Sequence, residues 1–227
     1  MNPEISILIA SLREEELKKR LKEYNNLDIK TDYEIIVVSP FEVIHPKVKW
    51  IKEEEIRGNV YAMEQAYQNS RGNYIMYFAD DISPVEGSID LMYKFIKDKT
   101  EPFLGAFKMI GLDYNEQQPW GINGKLYACY GAISRKSIEL IGGFFDTSFK
   151  HSWCDPDLSL RVWEKGNVEK SLVAMVINNQ ITDNIHINNT KLYFDIDTKT
   201  FLHKWHKKLN IPLNTYWHSF NKELTCI

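Results

Sequence analysis

Three short, almost unbroken apolar runs constrain this chain more than any other feature: 5–10 (ISILIA), 34–38 (EIIVV) and 74–78 (YIMYF). They lack the alternation of a half-solvated strand, so they predict strands covered on both faces, as in a parallel sheet. Helical segments separate them. SLREEELKKRLKEY places Leu17, Leu21 and Tyr24 on one face, and its other face carries the pairs Glu14–Lys18, Glu15–Lys19 and Glu16–Arg20. Ser11 with Glu14 three residues later predicts a capping box at its start. Residues 59–69 carry Val60, Met63 and Tyr67 at helical spacing, and Arg71-Gly72 closes that helix. Ser83-Pro84-Val85-Glu86 predicts the opening of a third helix bearing Ile89, Met92, Tyr93 and Ile96. Such alternation is the signature of an α/β fold with a mostly parallel central sheet and helices on both faces. Ligands of these sheets collect at the carboxyl ends of the strands. The loops after Ala10, Val38 and Phe78 are therefore expected to meet at one crevice, with Asp80 and Asp81 on its edge.

The second half is less regular. Residues 103–110 read as a strand, 111–124 as a long irregular loop, and 134–141 as a short helix stopped by Gly142-Gly143. Residues 155–165 read as a helix opened by Asp155-Pro156, 172–177 as a strand, and FLHKWHKKL as an aromatic and basic helix near the end. No repeat or linker divides the chain, so its 227 residues are expected to form one domain. Lys and Arg number 28 against 31 Asp and Glu, a near balance that argues against a general nucleic-acid binder. Cys129, Cys154 and Cys226 lie far apart without CxxC spacing, which suggests reduced thiols rather than a disulfide framework or structural zinc. The N-terminus has neither a basic start nor a small-residue cleavage site, and no apolar stretch is long enough to span a bilayer. A cytoplasmic protein is expected. The tail from Trp205 to Trp217, with Lys204, Lys207 and Lys208, is open to packing, peripheral membrane contact or self-association.

Several polar residues could carry chemistry. Adjacent carboxylates at a strand end point in different directions, so Asp80 and Asp81 can serve a hard divalent cation and a second partner, or simply a solvated turn. Asp155 precedes a proline and reads either as an N-cap or as a reactive carboxylate held ionised by a helix N-terminus. Asp157 lies in the same first turn, with Arg161 one turn on. Trp120, Tyr127 and Trp153 are open to core packing or to stacking on sugar rings.

The ordered set SRGNYI with ADD at 79–81, GGFFD at 142–146 and CDPDLSLRVWEKG at 154–166, followed by FLHKW at 201–205, resembles the family-2 glycosyltransferases of GT-A fold. The resemblance covers about residues 4–206. It implies a nucleotide-sugar-binding half over about 1–100, an acceptor half over about 101–190, and a helical tail over about 191–227. The implied activity is metal-dependent, inverting transfer of a sugar from a nucleotide-diphosphate donor, UDP-sugars favoured, to a carbohydrate acceptor in glycan or polysaccharide synthesis. In this pattern Asp81 binds Mn²⁺ or Mg²⁺, with a late histidine, His186, as a further ligand. Asp80, Ala10 and Ser11 line the donor site, Asp155 is the catalytic base, and Trp120, Trp153 and Asp157 face the acceptor. The chain departs from the pattern at three places. Ser39 stands where an acid reads the nucleotide base, with Glu42 as its nearest substitute; Ala79 opens the acidic triplet; and Cys154 replaces the usual Glu before the base. Two alternatives remain: a non-catalytic sugar-nucleotide-binding protein of the same fold, and a metal-dependent phosphohydrolase or nucleotidyltransferase. The latter is disfavoured because no carboxylate ends the first strand.

Overall fold

The computed structural model of the protein describes residues 2–224, so Cys226 lies outside the described residues. Four parallel strands make one half of the main sheet: β1 (Ile5–Ala10), β2 (Tyr33–Ser39), β3 (Val48–Lys52) and β4 (Tyr74–Ala79). The helices α1 (Glu14–Asn26) and α2 (Asn59–Gln68) connect them. After β4 come the short strand β5 (Ile82–Pro84), α3 (Ser88–Ile96) and β6 (Phe103–Ile110). The chain then forms β7 (Trp120–Ile122), β8 (Lys125–Leu126), β9 (Gly131–Ser134) and α4 (Arg135–Leu140). It ends with α5 (Cys154–Trp163), β10 (Asn167–Asn178), α6 (Asn184–Leu209), a 3-10 turn at Trp217–Ser219 and β11 (Asn221–Glu223). The order across the main sheet is β3-β2-β1-β4-β9-β6-β10-β5, with β9 and β5 antiparallel to their neighbours. A small antiparallel sheet, β11-β7-β8, stands apart from it.

Both faces of the main sheet are covered, as the apolar runs require. Leu8, Ile36, Val38 and Ile75 join the core on the α2 and α5 side, while Ile5, Ile7, Ile9, Val37 and Met76 join the core on the α1 and α3 side. Gly72 is held to the absence of a side chain: a Cβ there would meet the Ser6 backbone nitrogen at 2.5 Å, and its N–H donates to Ser6 Oγ at 2.8 Å.

The structure differs from the sequence expectations at identifiable points. The strand β3 is an exposed edge whose lysines break up its apolar residues, so it carries no buried run. Residues Ile82–Pro84 pair with β10, and the third helix starts only at Ser88. Arg20, expected on a solvated face, is buried beneath β5, where it donates to Ser83 and pairs with Glu23 at 2.8 Å. The strand β10 is longer than expected and bulges between Lys170 and Met175, which turns Leu172 and Val173 outwards. Helix α6 begins at Asn184, ahead of the expected tail, with Asp183 as its N-cap. Among the described residues no helix is long and apolar enough to cross a membrane.

Candidate active site at the carboxyl ends of the strands

The first wall of the site is built by the ends of β1 and β4, which pair in register up to Ala10 and Ala79. Ala10 thus lies at the floor and Ser11 directly beside Asp80. The capping box expected of Ser11 does not form. Its hydroxyl donates to Asp80 Oδ2 at 2.6 Å and accepts from the Arg13 N–H at 3.0 Å, and α1 starts only at Glu14. Arg13 completes the grip on Asp80, donating from Nη1 to Oδ1 at 2.7 Å. Its Nε and Nη2 reach both oxygens of Asp183, at 2.7 and 3.0 Å. The aspartates after β4 are therefore unequal. Asp80 is buried and fully engaged, whereas Asp81 Oδ1 is shielded from solvent without any hydrogen-bond partner. Burial, and then the neighbouring Asp80 charge, push the Asp81 carboxyl above its ordinary value, against the opposing pull of Arg13 and His186. The Asp81 backbone is pinned by Asn179, whose N–H and side-chain amide donate to its carbonyl at 3.0 and 2.7 Å.

The opposite wall is the loop preceding α5. Asp197 of α6, wholly buried, accepts from three successive backbone N–H groups, Lys150 at 2.9 Å and His151 and Ser152 at 2.8 Å each. That nest fixes the approach to α5. His151 lies edge-on to His186, centroids 6.4 Å apart, and its Nδ1 has no partner. Burial and the nearby His186 lower the His151 pKa. Trp153 caps α5 in a left-handed conformation, φ 67°, so Asp155 is not the cap but sits inside the first turn. Asp155 is partly exposed, and burial pushes its carboxyl up to about 7, opposed by its own backbone N–H and the Cys129 thiol.

The Tyr130 hydroxyl is raised chiefly by burial, then by Asp81, Cys129, Asp155 and Asp80, so it stands within electrostatic reach of all three carboxylates. Beside it runs a narrow groove of about 20 Å³ lined by Met109, Gln117, Trp120, Tyr127, Cys129 and Tyr130.

Other expected site residues fall elsewhere. Asp157 is completely buried, and Arg161, Trp205 and Lys204 take up its carboxylate at 2.9, 2.9 and 2.8 Å. It therefore joins α5 to α6 and presents no surface to an acceptor. Trp153 stacks on Phe201 at 4.9 Å and donates to Thr198 Oγ1 at 2.8 Å, inside an aromatic cluster with Phe194 and Phe220. The Ser39 hydroxyl is consumed locally, donating to the Phe41 carbonyl at 2.7 Å and accepting from Trp50 Nε1 at 3.1 Å. Glu42 is exposed and borders a hollow against α1 with Leu17 and Leu21. The acid that does face a cleft at the strand ends is Glu53, just beyond β3. It is buried, its N–H donates to the Ser39 carbonyl at 2.9 Å, and burial raises its carboxyl pKa. With Val38, Ile51, Arg57, Tyr61 and Gln65 it lines a cleft of about 290 Å³. Arg57 covers the Tyr61 ring at 4.0 Å there.

The orphaned Asp81 oxygen fits a hard divalent cation, and His186 lies within electrostatic reach of it. Among the described residues no three His, Cys, Asp or Glu side chains form a ready-made metal cage.

No family model and no curated protein matches this sequence. Solved structures match its fold. Residues 1–349 of S. aureus TarS in complex with UDP-GlcNAc align with TM-score 0.68 and 12% identity over 91% of this chain and 67% of that one. The mannosyltransferase PcManGT from Pyrobaculum calidifontis, in complex with GDP-Man and Mn²⁺, aligns with TM-score 0.65 and 12% identity over 93% and 69%. GalNAc-T7 with UDP, GalNAc and Mn²⁺ aligns with TM-score 0.66 and 11% identity over 94% and 52%. The chain spans about two thirds of the length of the first two and about half of the third. These matches establish the GT-A type α/β fold.

Proposed function

We propose that this chain is a metal-dependent, inverting glycosyltransferase of the family-2 type, moving a sugar from a nucleotide-diphosphate donor to a hydroxyl of a carbohydrate acceptor. The observation that carries it is the meeting, on a GT-A fold, of the Asp80–Asp81 pair with a carboxyl raised to about 7, Asp155, around Tyr130. A base needs a pKa near the working pH, and Asp155 has it. Its carboxylate takes the acceptor proton while the acceptor oxygen bonds to the anomeric carbon. The bond from that carbon to the diphosphate breaks on the opposite face, the electron pair leaves with the nucleotide, and the centre inverts. Asp81 and His186 would hold Mn²⁺ or Mg²⁺, which would supply positive charge for the departing diphosphate.

Glu53 follows β3, and the order β3-β2-β1-β4 puts it three strands from Asp80, about 14 Å at the usual strand spacing, on the order of an extended nucleoside diphosphate. Its cleft is assigned to the base, with Glu53 accepting the ring N–H beside Arg57 and Tyr61. Uridine is the expected base, and guanosine the competitor that the same acceptor would serve. Among the aromatic residues weighed for the acceptor, Trp120 keeps that role, because it borders the groove beside Cys129 and Tyr130. The activity belongs to one domain divided into a donor half over about 1–100 and an acceptor half beyond it.

The test is a thermal-shift panel of nucleoside diphosphates and their sugars with Mn²⁺, Mg²⁺ or EDTA, followed by release of free sugar from whichever donor binds. Metal-dependent stabilisation by one nucleotide with slow donor hydrolysis supports the assignment. Stabilisation without turnover on any acceptor points to the non-catalytic alternative, and hydrolysis of unrelated phosphate esters to a phosphohydrolase.

A further inference from the structure

Arg13 is the cation at the heart of the site, and its bonds divide it between two carboxylates. Asp80 holds Nη1, while Asp183 holds both Nε and Nη2. The Arg13 side chain keeps 16% exposure and that of Asp183 36%, against 4% for Asp80, so the Asp183 contact is the outer one. Asp183 has a second duty as the N-cap of α6, accepting the His186 N–H at 2.9 Å. Counting Asp80, Asp81 and Asp183 as ionised, Arg13 leaves this corner with a surplus of two negative charges. A diphosphate entering here meets repulsion unless a cation faces it, and the guanidinium that could do so is turned towards Asp183. Guanidinium groups bind phosphate in the same bidentate fork that they offer to carboxylate.

We propose that Arg13 is a donor-phosphate ligand masked by Asp183: the diphosphate replaces the Asp183 carboxylate on Nε and Nη2 while Asp80 keeps Nη1 anchored. The inference rests on the nucleotide-sugar assignment above and adds to it a residue of this chain that exchanges partners when the donor arrives. It makes Asp183 a competitor of the substrate, so removing its charge should improve binding, an effect that loss of a merely structural contact does not produce.

The test is calorimetric titration of UDP and GDP, in EDTA and in Mn²⁺, into the full chain and its Asp183→Asn, Arg13→Gln and double variants. Asn is as good an N-cap as Asp, so α6 is retained, and circular dichroism checks it. Should Asp183→Asn lose helix, Asp183→Ser supplies a second capping variant. The expected result is roughly tenfold tighter binding for Asp183→Asn, from freeing charge-assisted bonds, and roughly tenfold weaker binding for Arg13→Gln. The double variant should bind no better than Arg13→Gln alone. Binding by a helical Asp183→Asn that equals or falls below wild type overturns the proposal. So does a gain that persists without Arg13, which would mean only diffuse relief of negative charge. If neither wild type nor any variant binds either nucleotide in either condition, the donor assignment itself fails and takes this inference with it.

Discussion

Replacing Asp155 by Asn is expected to abolish transfer and, at the same time, to stabilise the protein in a pH-dependent way. The carboxyl rises from 3.8 to about 7 because burial disfavours its charge. At about 1.4 kcal/mol per pH unit, that rise corresponds to about 4 kcal/mol of penalty once the group ionises in the native state. The side chain is partly exposed, which screens its charge, and an Asp at a helix N-terminus recovers about 0.5 kcal/mol from the helix dipole. A net gain of about 1–2 kcal/mol for Asp155→Asn is therefore expected. The sign follows from proton counting. Between about pH 4 and pH 7 the native carboxyl keeps a proton that the unfolded chain has released, so wild-type stability falls as pH rises through this window and levels off above it. Asn, neutral throughout, escapes that fall. The assay is urea or thermal unfolding of both proteins, without donor, at pH 4, 5, 6, 7 and 8.5. The variants should be nearly equal at pH 4 and separate by about 3–6 °C at pH 8.5 for a chain of this size. Transfer by wild type should rise through about pH 7, and the variant should lose at least about a hundredfold at every pH. A variant no more stable than wild type at pH 8.5, or a difference that does not change with pH, refutes the argument that burial tunes this carboxyl.

Three further outcomes follow from the geometry. Asp81→Ala should lose the Mn²⁺-dependent stabilisation by UDP, which for wild type at a hundredfold excess over Kd is about 2.7 kcal/mol by thermal shift; a retained shift would move the metal elsewhere. Asp197→Ala strips the acceptor from three backbone N–H groups and should cost about 3–5 kcal/mol in urea unfolding, with Asp197→Asn losing less because its carbonyl still accepts; a cost below 1 kcal/mol would mean the loop is held by other contacts. Gly58→Ala should cost about 2 kcal/mol or more, since Gly58 has φ 102° and an added Cβ would meet the Lys150 carbonyl oxygen at 2.4 Å; an unchanged urea midpoint would refute the close approach.

The fold was legible where burial is two-sided. The strands β1, β2 and β4 announce themselves as apolar runs because every residue in such a strand meets a helix or its neighbour. The edge strand β3 stayed hidden because half of it meets water, and lysines interrupt its apolar residues. Arg20 was misplaced because i,i+4 pairing describes an isolated helix, whereas β5 closes over that position and takes the guanidinium inside. Local rules make Ser11 and Ser83 caps, but Asp80 takes the first hydroxyl and the pairing of β5 with β10 takes the second residue into a strand. The motif carboxylates Asp80, Asp81 and Asp155 could be found because each belongs to a short local pattern. Their partners could not. Arg13 lies 67 residues from Asp80 and 170 from Asp183, separations at which no sequence spacing carries information.

The carboxylates of this protein also show why a buried acid alone is a poor sign of function. Asp157 and Asp197 are as deeply buried as any residue in the chain, yet each is fully used: one by Arg161, Trp205 and Lys204, the other by three backbone N–H groups. Buried polar groups satisfied in this way are structural, and here they fasten α6 to the loop and helix that carry Asp155. Asp81 and Asp155 are different. One has an oxygen with no partner, the other a carboxyl at about 7, and burial raises the pKa of both. Such groups cost stability in the free protein, and on the proposed function a cation or an acceptor proton would relieve that cost. Helix α6 bears on both kinds: Asp197 holds the approach to α5 and Trp205 donates to Asp157, while at its other end Asp183 grips Arg13, and the charges of Arg13 and His186 act on Asp81. If donor binding draws Arg13 away from Asp183 as proposed, it would act on the same helix whose Asp197 fixes the approach to Asp155, and would so couple the two proposed substrate sites.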